Sequence, residues 1–228
     1  CRSAEGVEAG VPVAVVIRQA FNPNLDGVRY NAVMQMVNSI TILSIILVGA
    51  AVIREREHGT IEHLLVMPVR PTEIALGKII ANGLVVLLAV FFAIEVVLRG
   101  VLAVPIAGSV PLFLAGTAVY LFATTALGIV LATLANSMPQ LGLMAIPVFV
   151  TMQLLSGAMT PLESMPKALQ DAMHVSPSVY FVQFSQAILY RGAGFEVVWF
   201  PLAMMAGIGA VLLAFAVSRF RRMLEKSG

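Results

Sequence analysis

The sequence predicts an all-α protein that crosses a membrane several times. Of its 228 residues, 59% are hydrophobic and 11% are charged, whereas a soluble domain has about 45–50% apolar and about 25% charged residues. Runs of about 20 residues that carry almost no charge, the length needed to cross the hydrocarbon core, recur along the chain. They do not alternate apolar with polar residues as the strands of a membrane barrel do. The composition therefore excludes an ordinary soluble domain and a disordered chain.

Charge and cysteine content exclude further classes of protein. The net charge of +2 is too small to attract nucleic acid. The single cysteine, Cys1, excludes a disulfide framework and a zinc site built on cysteines. We therefore expect the lipid bilayer, and no nucleic acid, to surround the chain.

Five spanning helices are predicted within a transmembrane domain of residues 33–218. They cover residues 33–52, 79–98, 111–134, 141–159 and 197–217. The first span begins too late to be a signal peptide and has no basic segment of that type before it. Residues 1–32 are predicted to be the end of an extracytoplasmic domain, because a β-branched run is followed by the turn sequence Asn22-Pro23-Asn24. Residues 219–228 are predicted to be a cytoplasmic tail.

The distribution of basic residues predicts the orientation. The segments after the first and fifth spans share eight of them: Arg54, Arg56, Arg70, Lys78, Arg219, Arg221, Arg222 and Lys226. The loops on the other side contain three: Arg99, Lys167 and Arg191. The larger group is expected in the cytoplasm, so the N-terminus of this chain would be outside and its C-terminus inside. The odd span count and Cys1 favour a chain that begins within a longer protein, and a lipidated Cys1 is the alternative.

The segment after the first span is the most distinctive part of the sequence. Its apolar side chains have the i, i+3, i+4 spacing of one helical face: Ile61, Leu64 and Leu65. Three polar side chains fall on the other face: Glu55, His58 and Glu62. Pro68 would end this helix, and Pro71 would begin the next. We therefore expect an amphipathic helix over about 54–67, which either anchors the loop at the membrane surface or docks a cytoplasmic partner.

The same segment resembles the signature of ABC type-2 permeases, close to the multidrug-efflux branch. The matching pattern is Glu55-Arg56-Glu57-x-Gly59-Thr60-x-Glu62-x-Leu64, followed by Pro68, Glu73 and Gly77-Lys78. The resemblance continues at Asn22-Pro23-Asn24, at Ser156-Gly157, at Pro161-Leu162-Glu163-Ser164-Met165-Pro166 and at Pro177. It covers nearly the whole chain, and the motifs occur in the family's order.

The resemblance implies a six-span exporter fold of which this chain lacks the first span and most of the extracytoplasmic domain. The amphipathic helix would be the coupling helix that docks into a separate cytoplasmic ATPase. The residues that carry it would be Arg54, Glu55, Arg56, Glu57, Gly59, Thr60, Glu62, Leu64 and Leu65. ATP and Mg²⁺ would bind that partner, and two permease copies or paralogues would form the pathway in the bacterial inner membrane. A drug, a lipid or another amphiphile would move outward.

No catalytic or metal site is predicted, so the chain is expected not to be an enzyme. Gly77-Lys78 does not form a phosphate loop, because Thr72 stands where glycine is required and Ile79 stands where serine or threonine is required. The three histidines, His58, His63 and His174, do not form a zinc-binding pattern.

Polar residues within the spans are the remaining site candidates. Gln35, Asn38 and Thr41 lie within about a third of the circumference of the first span. They would either form hydrogen bonds between helices or line a substrate path. Glu95 would either pair with Arg99 at the membrane interface or serve in proton coupling or cation binding. The second role would support the alternative function of an ion-coupled secondary transporter.

The loop before the last span is predicted to contain short helices that enter the outer leaflet and return, as the family's re-entrant element does. Ser178 would cap one of them, with Phe181, Phe184 and Ile188 on one face. An ordinary surface helix is the alternative. Small residues would allow close helix contacts elsewhere in the bundle: Gly128, Gly207 and Gly209.

Overall fold

The structure is a computed structural model that describes residues 27–58, 71–104, 106–157, 167 and 173–227. These residues form helices and short connections, with no β-strand among them. The helices are α1 (Gly27–Glu57), α2 (Pro71–Phe92), a π-helical segment (Ala93–Val101), α3 (Val110–Leu134), α4 (Met138–Leu155), α5 (Pro177–Leu189) and α6 (Phe195–Ser227). The predicted all-α membrane fold is confirmed.

Within the described residues, four helical stretches are long and apolar enough to cross a membrane: Tyr30–Glu57, Thr72–Val101, Val110–Leu134 and Phe195–Arg219. The second combines α2 with the π-helical segment and starts well before the predicted residue 79. The prediction is later because it rests on uncharged runs, and Glu73 and Lys78 interrupt the run before residue 79. Pro71 begins the helix, as expected. Helix α4 has 18 residues and is about 27 Å long at 1.5 Å per residue. This length is near the lower limit for a span.

A recurring sequence pattern sets where the middle helices begin. Helices α3, α4 and α5 each follow a serine with extended backbone, namely Ser109, Ser137 and Ser176. Each also has a proline in its first two positions. Proline is favoured there because its ring fixes φ near the helical value and the missing N–H would have no partner within the helix. The cap before α5 is therefore Ser176, and the prediction of Ser178 was wrong by two residues.

The spans alternate in direction, which gives the bundle two ends. Helices α1, α3 and α6 end where α2 and α4 begin. We call this end the basic face, because Arg54, Arg56, Lys78 and Arg219 lie there. The other end is the opposite face. Gln186 Nε2 on α5 donates to the Tyr30 hydroxyl there, 3.1 Å away.

Helix α3 is the centre of the bundle and contacts α1, α2, α4, α5 and α6. The core divides into two clusters along the helix axes. The cluster nearer the opposite face contains the start of α1, the start of α3 and most of α5. The cluster nearer the basic face contains the end of α1 and the end of α3. Each half of the bundle therefore has its own packing, and α3 joins the halves.

Helix α5 is a buried helix and not the surface helix considered as the alternative. Among its residues, Gln183 is exposed and all the others are buried. The Phe181 ring stacks on the Tyr120 ring with centroids 3.9 Å apart and planes within 8°. With 13 residues, α5 is about 20 Å long, too short to cross a core of about 30 Å. Both of its ends form hydrogen bonds with neighbouring segments. Ser178 donates to Met152 O on α4, and Leu189 O accepts from Ala107 N in the connection before α3.

Close contact between α1 and α3 depends on Gly128. A Cβ atom added there would lie 2.4 Å from Val48 Cγ1 and 2.7 Å from Ile45 O. Gly209 likewise faces the Phe122 ring, as the sequence predicted. Gly207 has open space within 4 Å of its Cβ position, so it does not serve such a contact within the described residues.

The Gly128→Ala variant is expected to be less stable, because its methyl group would collide with backbone as well as with a side chain. Overpacking of this kind costs about 1–3 kcal/mol, which corresponds to several degrees in Tm for a chain of this size. Thermal unfolding in detergent measures the change. Gly207→Ala is the matched control and should leave Tm within a degree or raise it. Equal Tm values for the two variants would contradict the close α1–α3 contact.

Candidate functional site

The predicted ATPase-coupling residues begin in the last turns of α1. Helix α1 includes residues 54–57, so these residues belong to the first spanning helix and not to a separate surface helix. Arg54, Glu57 and His58 are exposed, whereas Glu55 and Arg56 are half-buried. The same short segment therefore presents one set of side chains to the surroundings and the other set to neighbouring helices.

Glu55 forms an ion pair with Lys78 on α2, between Oε1 and Nζ. The Lys78 side chain is 12% exposed and that of Glu55 is 34% exposed. A charge this far removed from water is unfavourable unless an opposite charge compensates it. The pair therefore holds the start of α2 against the end of α1.

Arg56 connects α1 to a third helix. Its Nη2 donates to the carbonyl oxygen of Ala135, the residue that follows the last turn of α3. The final carbonyl groups of a helix have no partner within it and carry partial negative charge, so a guanidinium there is favourable. Together, the Glu55–Lys78 pair and the Arg56–Ala135 hydrogen bond join α1, α2 and α3 at the point where the chain leaves α1.

The remaining coupling residues, Gly59, Thr60, Glu62, Leu64 and Leu65, lie outside the described residues, as do Pro68 and residues 161–166 of the resemblance. The coupling helix therefore stays a prediction. In the sequence, Lys78 is part of the family pattern, but nothing there predicts its pair with Glu55. Its position as a lone cation near the start of a long apolar helix was the available signal, because such a charge needs a partner.

The polar residues of α1 have separate surroundings. Thr41 Oγ1 is 2.7 Å from the Tyr120 hydroxyl on α3. Because Thr41 donates its only hydroxyl proton to Val37 O at 3.1 Å, Tyr120 is the donor between them. One turn further, Ser44 Oγ donates to Thr124 Oγ1 at 2.8 Å. The interhelical hydrogen bond considered for Thr41 is thus confirmed. Ser44, Tyr120 and Thr124 were missed, although hydroxyls at i, i+3 on α1 and i, i+4 on α3 were visible in the sequence.

Gln35 and Asn38 do not share this arrangement. Asn38 is buried and Gln35 is exposed. Within the part of the chain that the structure describes, neither forms a hydrogen bond to another helix. A substrate path that includes Gln35, Asn38 and Thr41 stays a prediction.

Glu95 and Arg99 form the predicted ion pair. Arg99 Nη1 lies 2.8 Å from Glu95 Oε1, and the two side chains are 43% and 35% exposed. Both residues belong to the π-helical segment near the opposite face. A solvent-exposed pair of this kind contributes about 0–1 kcal/mol. Its arrangement is that of two surface charges, and among the described residues Glu95 does not belong to a group of three His, Cys, Asp or Glu side chains.

An apolar groove of about 680 Å³ separates α4 from α6 and has α3 as its floor. Its walls include Leu127, Val148, Met152, Met204, Ile208 and Leu212. The groove reaches the connection before α5 through Val175 and Ser176. Hydrophobic side chains of variable shape, methionine among them, adapt to different apolar groups. The apolar lining makes the groove suited to hydrocarbon.

At the opposite face, the start of α1 is held to the residues around α5. The Tyr30 and Tyr190 rings stack with centroids 5.6 Å apart. The Tyr190 hydroxyl donates to Tyr30 O at 3.3 Å. Burial raises the pKa of the Tyr190 phenol above its usual range.

Comparisons with known proteins agree with this arrangement. A family model described as "ABC-2 family transporter protein" matches residues 3–218. The inner membrane transport permease YhhJ of Escherichia coli (strain K12) is 51% identical over 212 residues, which are 93% of this chain and 57% of that protein. The probable multidrug ABC transporter permease YbhR of the same strain is 33% identical over 214 residues, 91% of this chain and 56% of that protein. The chain thus spans a little over half the length of these relatives.

The family match confirms the resemblance found in the motif around Glu55. It also agrees with an all-helical fold whose spans are long and apolar enough to cross a membrane. Because the family model covers most of the sequence, the chain belongs to the ABC-2 transporter family.

Proposed function

We propose that the chain is the membrane subunit of an ATP-driven exporter that moves a drug, lipid or other amphiphile outward. A separate cytoplasmic ATPase would bind ATP and Mg²⁺ and dock on the connection between α1 and α2. The observation that carries the proposal is the joining of three spans beside that connection, through the Glu55–Lys78 pair and the Arg56–Ala135 hydrogen bond. Family membership supports the same function.

This geometry suits the transmission of force. A partner that moved residues 58–70 would pull on the end of α1, and α2 and α3 would follow because their ends are joined to it. Rigid-body movement of packed helices is a common form of conformational change in proteins. The exposed side chains of Arg54 and Glu57 would remain available for contact with the ATPase.

The proposed orientation places the basic face in the cytoplasm of a bacterium, with the chain in the inner membrane. Arg54, Arg56, Lys78 and Arg219 lie at that face, and an excess of Lys and Arg marks cytoplasmic segments. The start of α1 would then lie outside and the end of α6 inside.

A second permease copy, identical or paralogous, would complete the pathway. Gln35 would line it, since it is exposed on α1 in the isolated chain and polar groups in a membrane require protein or water as partners. The apolar groove between α4 and α6 supports a substrate with a hydrocarbon part.

Affinity purification of the natural full-length protein from its host tests the partner. We expect a cytoplasmic ABC ATPase to be recovered with it. Reversal of charge in Glu62→Lys should reduce the recovered ATPase several-fold and leave the yield of permease unchanged. Glu196→Lys, which makes the same change on an exposed residue at the opposite face, is the control. Recovery of no ATPase, with transport that survives ATP depletion, would exclude the exporter.

Charge exchange between Glu55 and Lys78 tests the connection of the helices. Glu55→Lys and Lys78→Glu should each lower Tm by several degrees, because each places like charges together in a half-buried site. The double variant should recover most of the loss. Glu57→Lys is the matched control, since Glu57 is exposed in the same turn. Thermal unfolding is the measurement, and additive losses in the double variant would contradict the pair.

Glu95→Gln separates the exporter from the ion-coupled secondary transporter. Because Glu95 pairs with Arg99 and is partly exposed near the opposite face, we expect the variant to retain at least half of the ATP-dependent transport. An ion-coupled carrier would require the carboxylate, and the variant would lose transport and its pH dependence together. Transport by proteoliposomes with and without ATP, at two pH values, distinguishes these outcomes.

A further inference from the structure

A second cavity, of about 330 Å³, lies between α5 and α6 at the opposite face. Its α6 wall comprises Val197, Val198, Phe200 and Pro201. These residues lie within six positions of Phe195, the start of the last span, and therefore within about 9 Å of it along the axis. For a span that begins at the membrane surface, this is the depth at which lipid headgroups meet the hydrocarbon core. The cavity is separate from the apolar groove between α4 and α6, with which it shares no lining residue.

The other wall is polar. It comes from α5 and from Arg191, which follows the end of that helix. Gln183, Gln186 and Arg191 face the cavity, with Ala187 between them. Gln183 is the exposed residue of an otherwise buried helix, so its amide is the part of α5 that is accessible from outside the protein. Within the described residues, Gln183 forms no hydrogen bond to protein. An amide at the edge of the hydrocarbon core requires a polar partner.

Gln186 is held in position by a different element. It is 7% exposed, and its Nε2 donates to the Tyr30 hydroxyl at 3.1 Å. Tyr30 is fixed in turn by its stacking on Tyr190. Gln186 is therefore pre-arranged and does not need to be ordered when a ligand enters, which favours binding.

The side chains that line the cavity favour an anionic ligand. Arg191 supplies a guanidinium, whose planar set of N–H donors matches the oxygens of a phosphate. The two glutamines add neutral amide donors. Among the described residues that line the cavity there is no acidic side chain. The apolar α6 wall is suited to the glycerol backbone and the first carbons of an acyl chain.

We propose that this cavity binds the phosphate of an anionic phospholipid, with Arg191 and Gln183 on the headgroup and the α6 residues against the upper acyl chain. The lipid would lie against α5 and, through Gln186 and Tyr30, beside the start of α1. This inference does not depend on the exporter function, because it concerns binding to the permease alone.

The test uses the full-length purified permease in detergent, without nucleotide or partner. Dihexanoyl-phosphatidylglycerol is the anionic probe, dihexanoyl-phosphatidylcholine the zwitterionic one, and inorganic phosphate the free anion. Native mass spectrometry measures the affinity of each. Phosphatidylglycerol should bind at least tenfold more tightly than either of the other two.

Three variants and one control locate the site. Arg191→Gln should weaken phosphatidylglycerol binding at least tenfold, and Gln183→Leu about threefold. Arg191→Lys should be intermediate, because lysine keeps the charge but not the planar donor set. Arg99→Gln, an equivalent change on another exposed arginine near the same face, should leave the affinity within twofold. All four variants should elute as the wild type does on size exclusion, since both arginines and Gln183 are exposed.

Three results would overturn the proposal. Equal loss in Arg191→Gln and Arg99→Gln would mean general attraction to surface charge. Equal affinity for the two phospholipids would remove the selection for negative charge, and equal affinity for inorganic phosphate would remove the lipid. None of these results bears on the recovery of an ATPase or on ATP-dependent transport, so the exporter proposal would be judged separately.

Discussion

Tyr120 is the residue on which the packing of the bundle depends. Its ring is fully buried near the middle of α3. Its hydroxyl binds Thr41 on α1, and its ring face covers Phe181 on α5. A buried phenol requires a hydrogen-bond partner when no water is present, so the position of α1 along α3 is constrained by Thr41. The stacked ring constrains α5 in the same way. One side chain thus sets the relative positions of a spanning helix, the central helix and the short buried helix.

The contacts on either side of Tyr120 extend this constraint to both ends of the bundle. Toward the opposite face, the Phe184 ring occupies the space that a side chain at Gly116 would fill. Toward the basic face, Gly128 lets α1 approach α3 so closely that Ser44 reaches Thr124. Hydrogen bonds between membrane helices contribute about 0.6 kcal/mol each on average. Their effect here is therefore mainly on register, and close packing supplies most of the attraction.

The sequence predicted those features that local spacing determines. Apolar runs gave the spans, Pro71 gave the start of α2, and the i, i+4 relation gave the Glu95–Arg99 pair. The features it did not predict join residues far apart in the chain, such as Glu55 with Lys78 and Tyr120 with Phe181. Periodicity identifies an apolar face but not the helix it meets. This is why Phe181 and Phe184 were recognised as one face while the burial of α5 on nearly all sides was not.

The two faces of the bundle use their few charges differently, and the difference bears on how movement would spread. At the basic face, Glu55–Lys78 and Arg56–Ala135 connect separate helices, so a displacement of one would be passed to the others. At the opposite face, the Glu95–Arg99 pair lies within a single helical segment, and it restrains no neighbour. What holds helices together there is aromatic packing around α5 and the Tyr30–Gln186 hydrogen bond. Stacked rings and hydrogen bonds have preferred geometries, so this end is also restrained, but by packing around α5 and not by charges that join separate helices.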